Sequence, residues 1–326
     1  MNRLLPLFAL LAVTPLAAQD TTGAVDAIRL GIEYRPGVRP RLVVVPGPGL
    51  DSLRAIVRRD LDYSDRFEMI AVAEPPEGSP AGGTDAGGLN YGIYKVLGAE
   101  FAVELVPAPG GVTARLHDLN LSRVRNEQVV PMPPEADPGF RMEGHRLADE
   151  ITRWATGTAG SAASRLLLVQ GGRVYRVDSD GAALTPLTPA GATALSPAWS
   201  PDGQRMAFTR LEAGRGAIVV QSLSGGATVT APGSQSALNI TPAFAPDGRT
   251  LAFAHSSEAG TDVYTANIAD QCCTQRLTVG RFADNLSPTF APDGRRIAFV
   301  STRAGPPQIY VMAADGTDQE LLAPFD

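Results

Sequence analysis

The tripeptide Pro-Asp-Gly occurs three times in the second half of the chain, each time inside the same longer segment, over residues 195–208, 240–253 and 286–299. In every copy a Ser-Pro or Thr-Pro pair and an aromatic residue precede the tripeptide, and an Ala-Phe pair follows it. The three aspartates, Asp202, Asp247 and Asp293, are 45 and 46 residues apart. A period of this length indicates a repeat architecture, and this constrains the fold more than any other feature of the sequence.

Each repeat has the pattern of two β-hairpins. Pro-Asp-Gly is typical of a β-turn, because proline fixes φ and glycine allows a positive φ. Alternating apolar residues flank the turn, and a second turn signal follows about 22 residues later, at 224–226, 270–271 and 315–316. Two hairpins give four strands per repeat, which is one blade of a β-propeller.

A fourth copy of the second turn lies earlier, at 180–181, after an apolar strand at 165–170. No Pro-Asp-Gly precedes that strand, so the sequence predicts one blade without its first strand and then three whole blades. Propellers close into rings of four to eight blades, which protects their strand edges. We therefore expect residues 165–326 to form about four blades of an incomplete ring.

The N-terminus has the pattern of a secretory signal peptide. Arg3 is followed by an apolar stretch over residues 4–16 and by Ala17 and Ala18. The apolar run is too short for a membrane-spanning helix. We expect cleavage after residue 18 and export of the remaining chain.

Residues 19–156 do not repeat and alternate between strand and helix patterns. Strands are predicted at 28–32, 41–45 and 67–72, a hairpin at 101–116, and helices after Asp51, at 90–97 and at 139–155, with Asp51 as an N-cap. Residues 157–164 are small and polar and are interpreted as a linker. The predicted fold class is α+β, with a small N-terminal α/β domain followed by the incomplete propeller.

Charge and cysteine content narrow the function further. The net charge is −6 and Lys95 is the single lysine, so no basic block suggests nucleic-acid binding. Cys272 and Cys273 are the only cysteines; as neighbours they form a vicinal disulfide or stay free. Without a second ligand cluster they predict no metal site, and we expect no cofactor.

The sequence gives little support for catalysis. It contains no Gly-x-Ser-x-Gly turn, and the three histidines, His117, His145 and His255, have no carboxylate or serine partner evident from the sequence. We expect a non-enzymatic protein. The propeller of a prolyl-oligopeptidase-like peptidase and a ligand-binding propeller are the alternatives that the repeat leaves open.

A signal peptide, an α/β domain and a propeller in this order resemble the TolB family of periplasmic proteins of the Tol–Pal system. The motifs that carry the resemblance are 199–203, 212–215 and 305–310, and the resemblance covers nearly all of the exported chain. Members have a six-bladed propeller whose first strand comes from the C-terminus, so the resemblance implies that about four blades of six are present here.

The resemblance also implies a partner at the propeller mouth, the peptidoglycan-associated lipoprotein Pal. The family's contact positions align with Leu238, Thr241 and Leu286, in the segments that open each blade. The predicted Pal-like site comprises Leu195, Ser196, Leu238, Asn239, Thr241, Asn285, Leu286 and Ser287. Apolar residues exposed at a mouth suit a binding patch, and the same residues also suit packing at the blade ends.

A second implied partner is TolA, an inner-membrane-anchored protein that binds the N-terminus of the exported chain. Residues 20–27 are small and polar and are expected to be mobile. Ile28, Leu30 and Ile32 alternate as a strand, which can either accept a partner's strand edge or pack into its own domain. The resemblance thus predicts a periplasmic adaptor that supports outer-membrane integrity and cell division and meets membranes only through its partners.

Overall fold

The computed structural model describes residues 39–72, 84–85, 88–225, 228–234, 237–280 and 282–322. The predicted signal peptide and the predicted strand at 28–32 lie outside these ranges. No helix in the described ranges is long and apolar enough to cross a bilayer.

The first part of the described chain alternates strands and helices. Its elements are β1 (Arg41–Val44), α1 (Asp51–Tyr63), β2 (Glu68–Ile70), β3 (Thr84–Asp85), β4 (Gly88–Leu89), α2 (Tyr91–Val96), β5 (Phe101–Ala108), β6 (Gly111–Asp118), β7 (Arg123–Pro131) and α3 (Phe140–Thr156). Asn90 caps α2 by accepting from the Ile93 amide, and Gly157 ends α3 at φ 83°. These are the usual signals for beginning and ending a helix.

Five strands form one mixed sheet in the order β2-β1-β5-β6-β7, in which β1 runs parallel to β2 and β5. The apolar faces of α1 and α3 pack together against this sheet, around Leu53, Leu116 and Ile151, which have no exposed surface. Tyr94 of α2 lies in a second buried cluster with Val43 and Leu119. The sheet is therefore covered by apolar residues of α1, α2 and α3.

The second part is built of four successive antiparallel units. Their strands are β8 (Arg165–Gln170), β9 (Arg173–Asp178) and β10 (Thr185–Pro186) in blade 1; β11 (Ala194–Trp199), β12 (Arg205–Glu212), β13 (Arg215–Ser222) and β14 (Val229–Thr230) in blade 2; β15 (Leu238–Phe244), β16 (Thr250–Ser257), β17 (Gly260–Asn267) and β18 (Cys272–Arg276) in blade 3; and β19 (Asn285–Phe290), β20 (Arg296–Ser301), β21 (Gln308–Ala313) and β22 (Glu320–Leu321) in blade 4. The predicted pattern of one three-stranded blade and three four-stranded blades is confirmed.

The three Pro-Asp-Gly turns join the first and second strands of blades 2, 3 and 4. Gly203, Gly248 and Gly294 have φ values of 65°, 65° and 71°, which explains why glycine ends each turn. Arg205 Nη2 donates to Gly248 O at 2.7 Å, so the turn regions of neighbouring blades are in contact. The turns therefore help to hold adjacent blades in place.

Neighbouring blades also meet near the beginning of their first strands. A single parallel pair joins Gly216 to Leu238, and an isolated bridge joins Thr261 to Asp284. Each junction encloses apolar side chains, such as Phe253 between blades 2 and 3 and Met312 between blades 3 and 4. This repeated packing buries the core of the propeller without a separate layer of helices.

A charged cluster joins the α/β domain to blade 1. His145 of α3 has no exposed surface, and its Nδ1 lies 2.5 Å from Asp60 Oδ2 of α1. Its Nε2 lies 3.4 Å from Asp180 Oδ2, in the β9–β10 turn. Arg59 donates hydrogen bonds to the carboxylates of Asp60 and Asp180, and Arg141 donates one to Asp180. We call these five residues the domain clamp.

The segment after α3 is also attached to that helix. Asp149 of α3 accepts hydrogen bonds from the amides of Ala162 and Ala163, at 2.7 and 2.9 Å. Gly160 N donates to Asp149 O at 3.2 Å. The stretch interpreted as a linker thus folds back onto α3.

The structure departs from the sequence-based expectations at Asp51 and at β7 and decides between the two states of the cysteine pair. Asp51 was expected to be an N-cap, but Leu50 occupies that position without a side-chain bond, and Asp51 lies in the first turn beside Arg54. Strand β7 was not predicted. Cys272 and Cys273 form the vicinal disulfide, one of the two states that the sequence allowed.

Candidate protein-binding site at the propeller mouth

The first strands of blades 2, 3 and 4 begin at the same end of the propeller, which we call the mouth. In each of these strands the pairing register shifts where a Ser-Pro or Thr-Pro pair occurs, next to Leu195, Ile240 and Leu286. Such a shift is a β-bulge, which bends a strand and redirects its side chains. The recurring dipeptide therefore gives all three strands the same bend at the mouth.

The bulges hold an unusual backbone conformation. Ser196, Thr241 and Ser287 have φ values of 49°, 52° and 51°, a left-handed region that residues with a Cβ seldom enter. Each residue comes directly before a proline, which disfavours a right-handed helical conformation at that position. Backbone strain of this kind persists where surrounding structure imposes it, and it clusters at functional sites.

Two of the bulges are connected to each other. The Ser287 backbone amide donates to Thr241 Oγ1 at 3.1 Å, which links blade 4 to blade 3 at the mouth. Because this contact joins residues 46 positions apart, the bulges of blades 3 and 4 form one surface and not separate loops. A preformed surface of this kind loses less conformational entropy on binding a partner.

The predicted site residues differ in exposure. Leu195 is 38% exposed and Leu238 is 36% exposed, and Ser196 and Ser287 are also exposed. Thr241 and Leu286 are half-buried. These six residues lie at the mouth, where a partner protein can reach them.

Asn239 and Asn285 have no exposed surface and instead connect neighbouring blades. Asn239 Nδ2 donates to Gly216 O at 2.8 Å and to Ser234 O at 3.0 Å. Asn285 Nδ2 donates to Thr261 O and to Asp262 Oδ1, both at 3.1 Å. Since their amides are used within the propeller, we narrow the candidate contact surface to the other six residues.

The structure adds two residues that sequence reasoning did not select. His255 Nδ1 lies 2.8 Å from Asn239 Oδ1, and Arg303 Nη2 donates to Asn285 Oδ1 at 3.1 Å. Arg303 also stacks over Tyr310, with 4.7 Å between its guanidinium carbon and the ring centroid. Both residues orient the buried asparagines. The repeat held a signal for His255, because it lies two residues after the Ala-Phe pair of blade 3, where blade 4 has Ser301.

The Pro-Asp-Gly turns lie at the opposite end of the first strands. Asp202, Asp247 and Asp293 each accept a hydrogen bond from the amide two residues later, at 2.9, 2.8 and 3.0 Å. A hydrogen bond from Ser200 lowers the pKa of Asp202. Burial raises the pKa of Asp247, but amide hydrogen bonds from Thr250 and Arg249 outweigh it and lower the pKa overall. These carboxylates shape their own turns, and no group of metal-ligating side chains was found in the described ranges.

Two of the three histidines have carboxylate partners that were not evident from the sequence. His145 lies between Asp60 and Asp180, and His117 Nε2 lies 3.4 Å from Glu104 Oε2. The hydrogen bond with His117, together with Arg115, lowers the pKa of Glu104 although burial opposes this. Among the described residues, no serine or cysteine side chain is hydrogen-bonded to these imidazoles. The hydroxyl hydrogen-bonded to His117 belongs to Tyr91, whose Oη lies 3.0 Å from His117 Nδ1.

The predicted TolA-like contacts, Ile28, Leu30 and Ile32, lie outside the described ranges. Their role stays a prediction.

Comparison with protein families gives a match over residues 156–324 to the model described as the TolB beta propeller domain. The chain is 32% identical over 221 residues to the Tol-Pal system protein TolB of Anaeromyxobacter dehalogenans, covering 63% of this chain and 50% of that protein. It is 32% identical over 233 residues to the TolB of Haemophilus influenzae, covering 65% and 51%. The chain thus spans about half the length of these curated relatives.

Comparison with solved structures gives a match to the crystal structure of TolB from Acinetobacter baumannii. The TM-score is 0.72 at 25% identity, over 88% of this chain and 72% of that one. The similarity includes more than the propeller, because the propeller begins at Arg165.

Proposed function

The chain belongs to the family of the TolB beta propeller domain, and from that premise we propose that it is a non-enzymatic adaptor of the Tol–Pal system. Relatives of about 32% identity are named Tol-Pal system proteins. We propose that the chain works in the periplasm and binds a Pal-type lipoprotein at the propeller mouth. It would thereby support outer-membrane integrity and cell division.

One observation carries the proposal of a partner at the mouth. Three bulges of the same left-handed geometry lie at Ser196, Thr241 and Ser287, and the first two share their strands with the exposed Leu195 and Leu238. Apolar side chains on a rigid support are favourable anchors for a protein partner, because little freedom is lost when they bind. Ordinary packing at blade ends accounts less well for Leu195 and Leu238, which keep more than a third of their surface exposed.

Calorimetric titration with the soluble domain of the Pal-type protein of the same organism tests this proposal. We expect saturable binding by the wild-type chain, and a loss of at least about tenfold in Leu195→Asp. Val229→Asp is the matched control, since Val229 is 40% exposed but lies on the outer strand β14. Equal effects of the two variants would contradict a site at the mouth.

We further propose that a TolA-type protein binds the N-terminal segment through Ile28, Leu30 and Ile32. The alternating apolar pattern suits strand addition, in which backbone hydrogen bonds give affinity and alternate side chains give specificity. Replacing all three residues by serine should abolish binding of the TolA-type domain and leave binding of the Pal-type domain unchanged. Retained binding of the TolA-type domain would exclude these residues as its contacts.

A further inference from the structure

One cross-strand position recurs in blades 2, 3 and 4. The paired residues there are Ala194 with Arg210, Asn239 with His255, and Asn285 with Ser301. In blades 3 and 4 the asparagine Oδ1 is hydrogen-bonded to the paired side chain, at 2.8 Å in both. In blade 2 the position is alanine, which has no side-chain oxygen to offer.

The paired residue in blade 2, Arg210, is left without that acceptor. Its Nε atom is buried and has no hydrogen-bond partner among the described residues. Glu212 Oε1 lies 2.8 Å away as an ion-pair partner, but not in hydrogen-bond geometry. Buried donors are nearly always hydrogen-bonded in native proteins, so Arg210 Nε, which has an ion pair but no aligned acceptor, is incompletely satisfied.

Arg210 faces an open cavity of about 590 Å³ at the β12–β13 hairpin, lined by Arg210, Glu212, Ala213, Arg215, Ala217 and Thr230. Arg215 is directly opposite Glu212 in the hairpin, and it is exposed. Its side chain makes no hydrogen bond or ion pair with any residue in the described ranges. Two guanidinium groups and one carboxylate line the cavity, which leaves a local excess of one positive charge in a chain whose net charge is −6.

We propose that this cavity binds the carboxylate of an acidic side chain on the partner protein that docks at the mouth. Guanidinium groups bind carboxylates through strong charge-assisted hydrogen bonds, and their planar geometry suits two oxygens at once. The carboxylate contacts the accessible part of Arg210, whose side chain is 37% exposed. Arg215 contributes a second cation at the rim.

A protein is the favoured source of the carboxylate because of where the cavity lies. Leu195, an exposed residue of the candidate contact surface, follows Ala194 directly on the strand paired with Arg210. The cavity therefore lies at the same end of blade 2 as the mouth. This inference rests on the proposed function for the identity of the partner, but not for the chemistry of the cavity.

The chemistry is tested first without any partner. The Nε–Hε signals of the arginines of the full chain are followed by NMR during titration with N-acetylglutamate amide, and N-acetylglutamine amide is the neutral control. We expect the signals of Arg210 and Arg215 to shift saturably with the glutamate probe alone. Arg295, which is exposed at the Pro-Asp-Gly end, serves as the internal reference. Shifts no larger than those of Arg295 would overturn the proposal.

The source of the carboxylate is tested with the Pal-type domain. Arg215→Glu should weaken its binding at least about tenfold, because a like charge then faces the incoming carboxylate. Arg295→Glu makes the same change of charge at the other end, and it should change binding less than about twofold. Equal losses in the two variants would exclude a carboxylate from this partner, even if the probe binds. No binding by the wild-type chain would instead contradict the proposed function, and the NMR titration would still decide whether the cavity binds carboxylates.

Discussion

Thr241 Oγ1 accepts a hydrogen bond from the Ser287 amide at 3.1 Å, and this contact joins the left-handed bulges of two neighbouring blades. The bulges thereby support each other across a blade junction. The mouth is a shared feature of blades 2, 3 and 4, and its rigidity depends on contacts between blades.

Thr241→Val removes this acceptor while it keeps the shape of the side chain. We expect a loss of about 0.5–1.5 kcal/mol in the free energy of unfolding, the usual net contribution of one hydrogen bond. Urea titration followed by tryptophan fluorescence measures it. Thr241→Ser keeps the hydroxyl and is the control. A loss in Thr241→Ser with none in Thr241→Val would show that the methyl group, and not the hydrogen bond, matters.

Asn285→Ala should be the more damaging change, because Asn285 is fully buried and bonds to Thr261, Asp262 and Ser301. We expect about 2–4 kcal/mol of destabilisation, since several buried polar groups lose their partner together. Thermal unfolding measures the change, with the exposed Asn120→Ala as control. A destabilisation no larger than that of the control would contradict a structural role for Asn285.

Gly216→Ala tests the junction of blades 2 and 3. A Cβ at Gly216 would lie 2.8 Å from Leu238 Cδ1 and 3.0 Å from the backbone oxygen of Asn239. The leucine side chain can move, but the backbone has to shift, at a cost of about 1–3 kcal/mol. We expect reduced thermal stability together with weaker binding of the Pal-type domain. Gly47→Ala in the α/β domain is the control, because a Cβ there makes only an ordinary van der Waals contact, 3.6 Å from Arg54 Nη1. Unchanged stability and binding in Gly216→Ala would mean that this junction does not position the mouth.

The domain clamp should give stability that depends on pH. Burial raises the pKa of Asp180, but the Ala182 amide and the Arg141 guanidinium outweigh it and lower that pKa from 3.8 to about 2. A carboxylate with a depressed folded-state pKa stabilises the folded state above its unfolded pKa. Its contribution, about 2 kcal/mol for a side chain that is 4% exposed, is therefore lost as the pH falls from about 4 to about 2.

Asp180→Asn removes this contribution at neutral pH, so the free energy of unfolding should change less between pH 4 and pH 2 than in the wild-type chain. Thermal unfolding between pH 2 and pH 7 measures both effects. Asp62→Asn is the control, because Asp62 is exposed on α1. If Asp180→Asn kept the wild-type acid dependence, the clamp would not be its source.

Most of the propeller could be predicted because its signals are local. Pro-Asp-Gly and the apolar alternation specify turns and strands within a few residues of each other. Strand β7 could not be predicted in this way. It is an edge strand whose residues are mostly exposed, so its sequence shows no alternation of apolar and polar residues.

The candidate site could be predicted only in part. The sequence located the mouth, but it could not separate exposed Leu238 from buried Asn239, because the bend and the blade junction determine which side chain turns inward. Nor could it pair His145 with Asp180, which lie on different domains. Such contacts depend on how distant elements pack, and neither composition nor spacing encodes that directly.

Hydrogen–deuterium exchange of the chain, measured with and without the Pal-type domain, tests the central claim most directly. We predict slower exchange in β11, β15 and β19 at the mouth, and unchanged exchange in the Pro-Asp-Gly turns around Asp202, Asp247 and Asp293. Protection confined to those turns, or no protection at saturating partner, would contradict an adaptor that binds through its mouth.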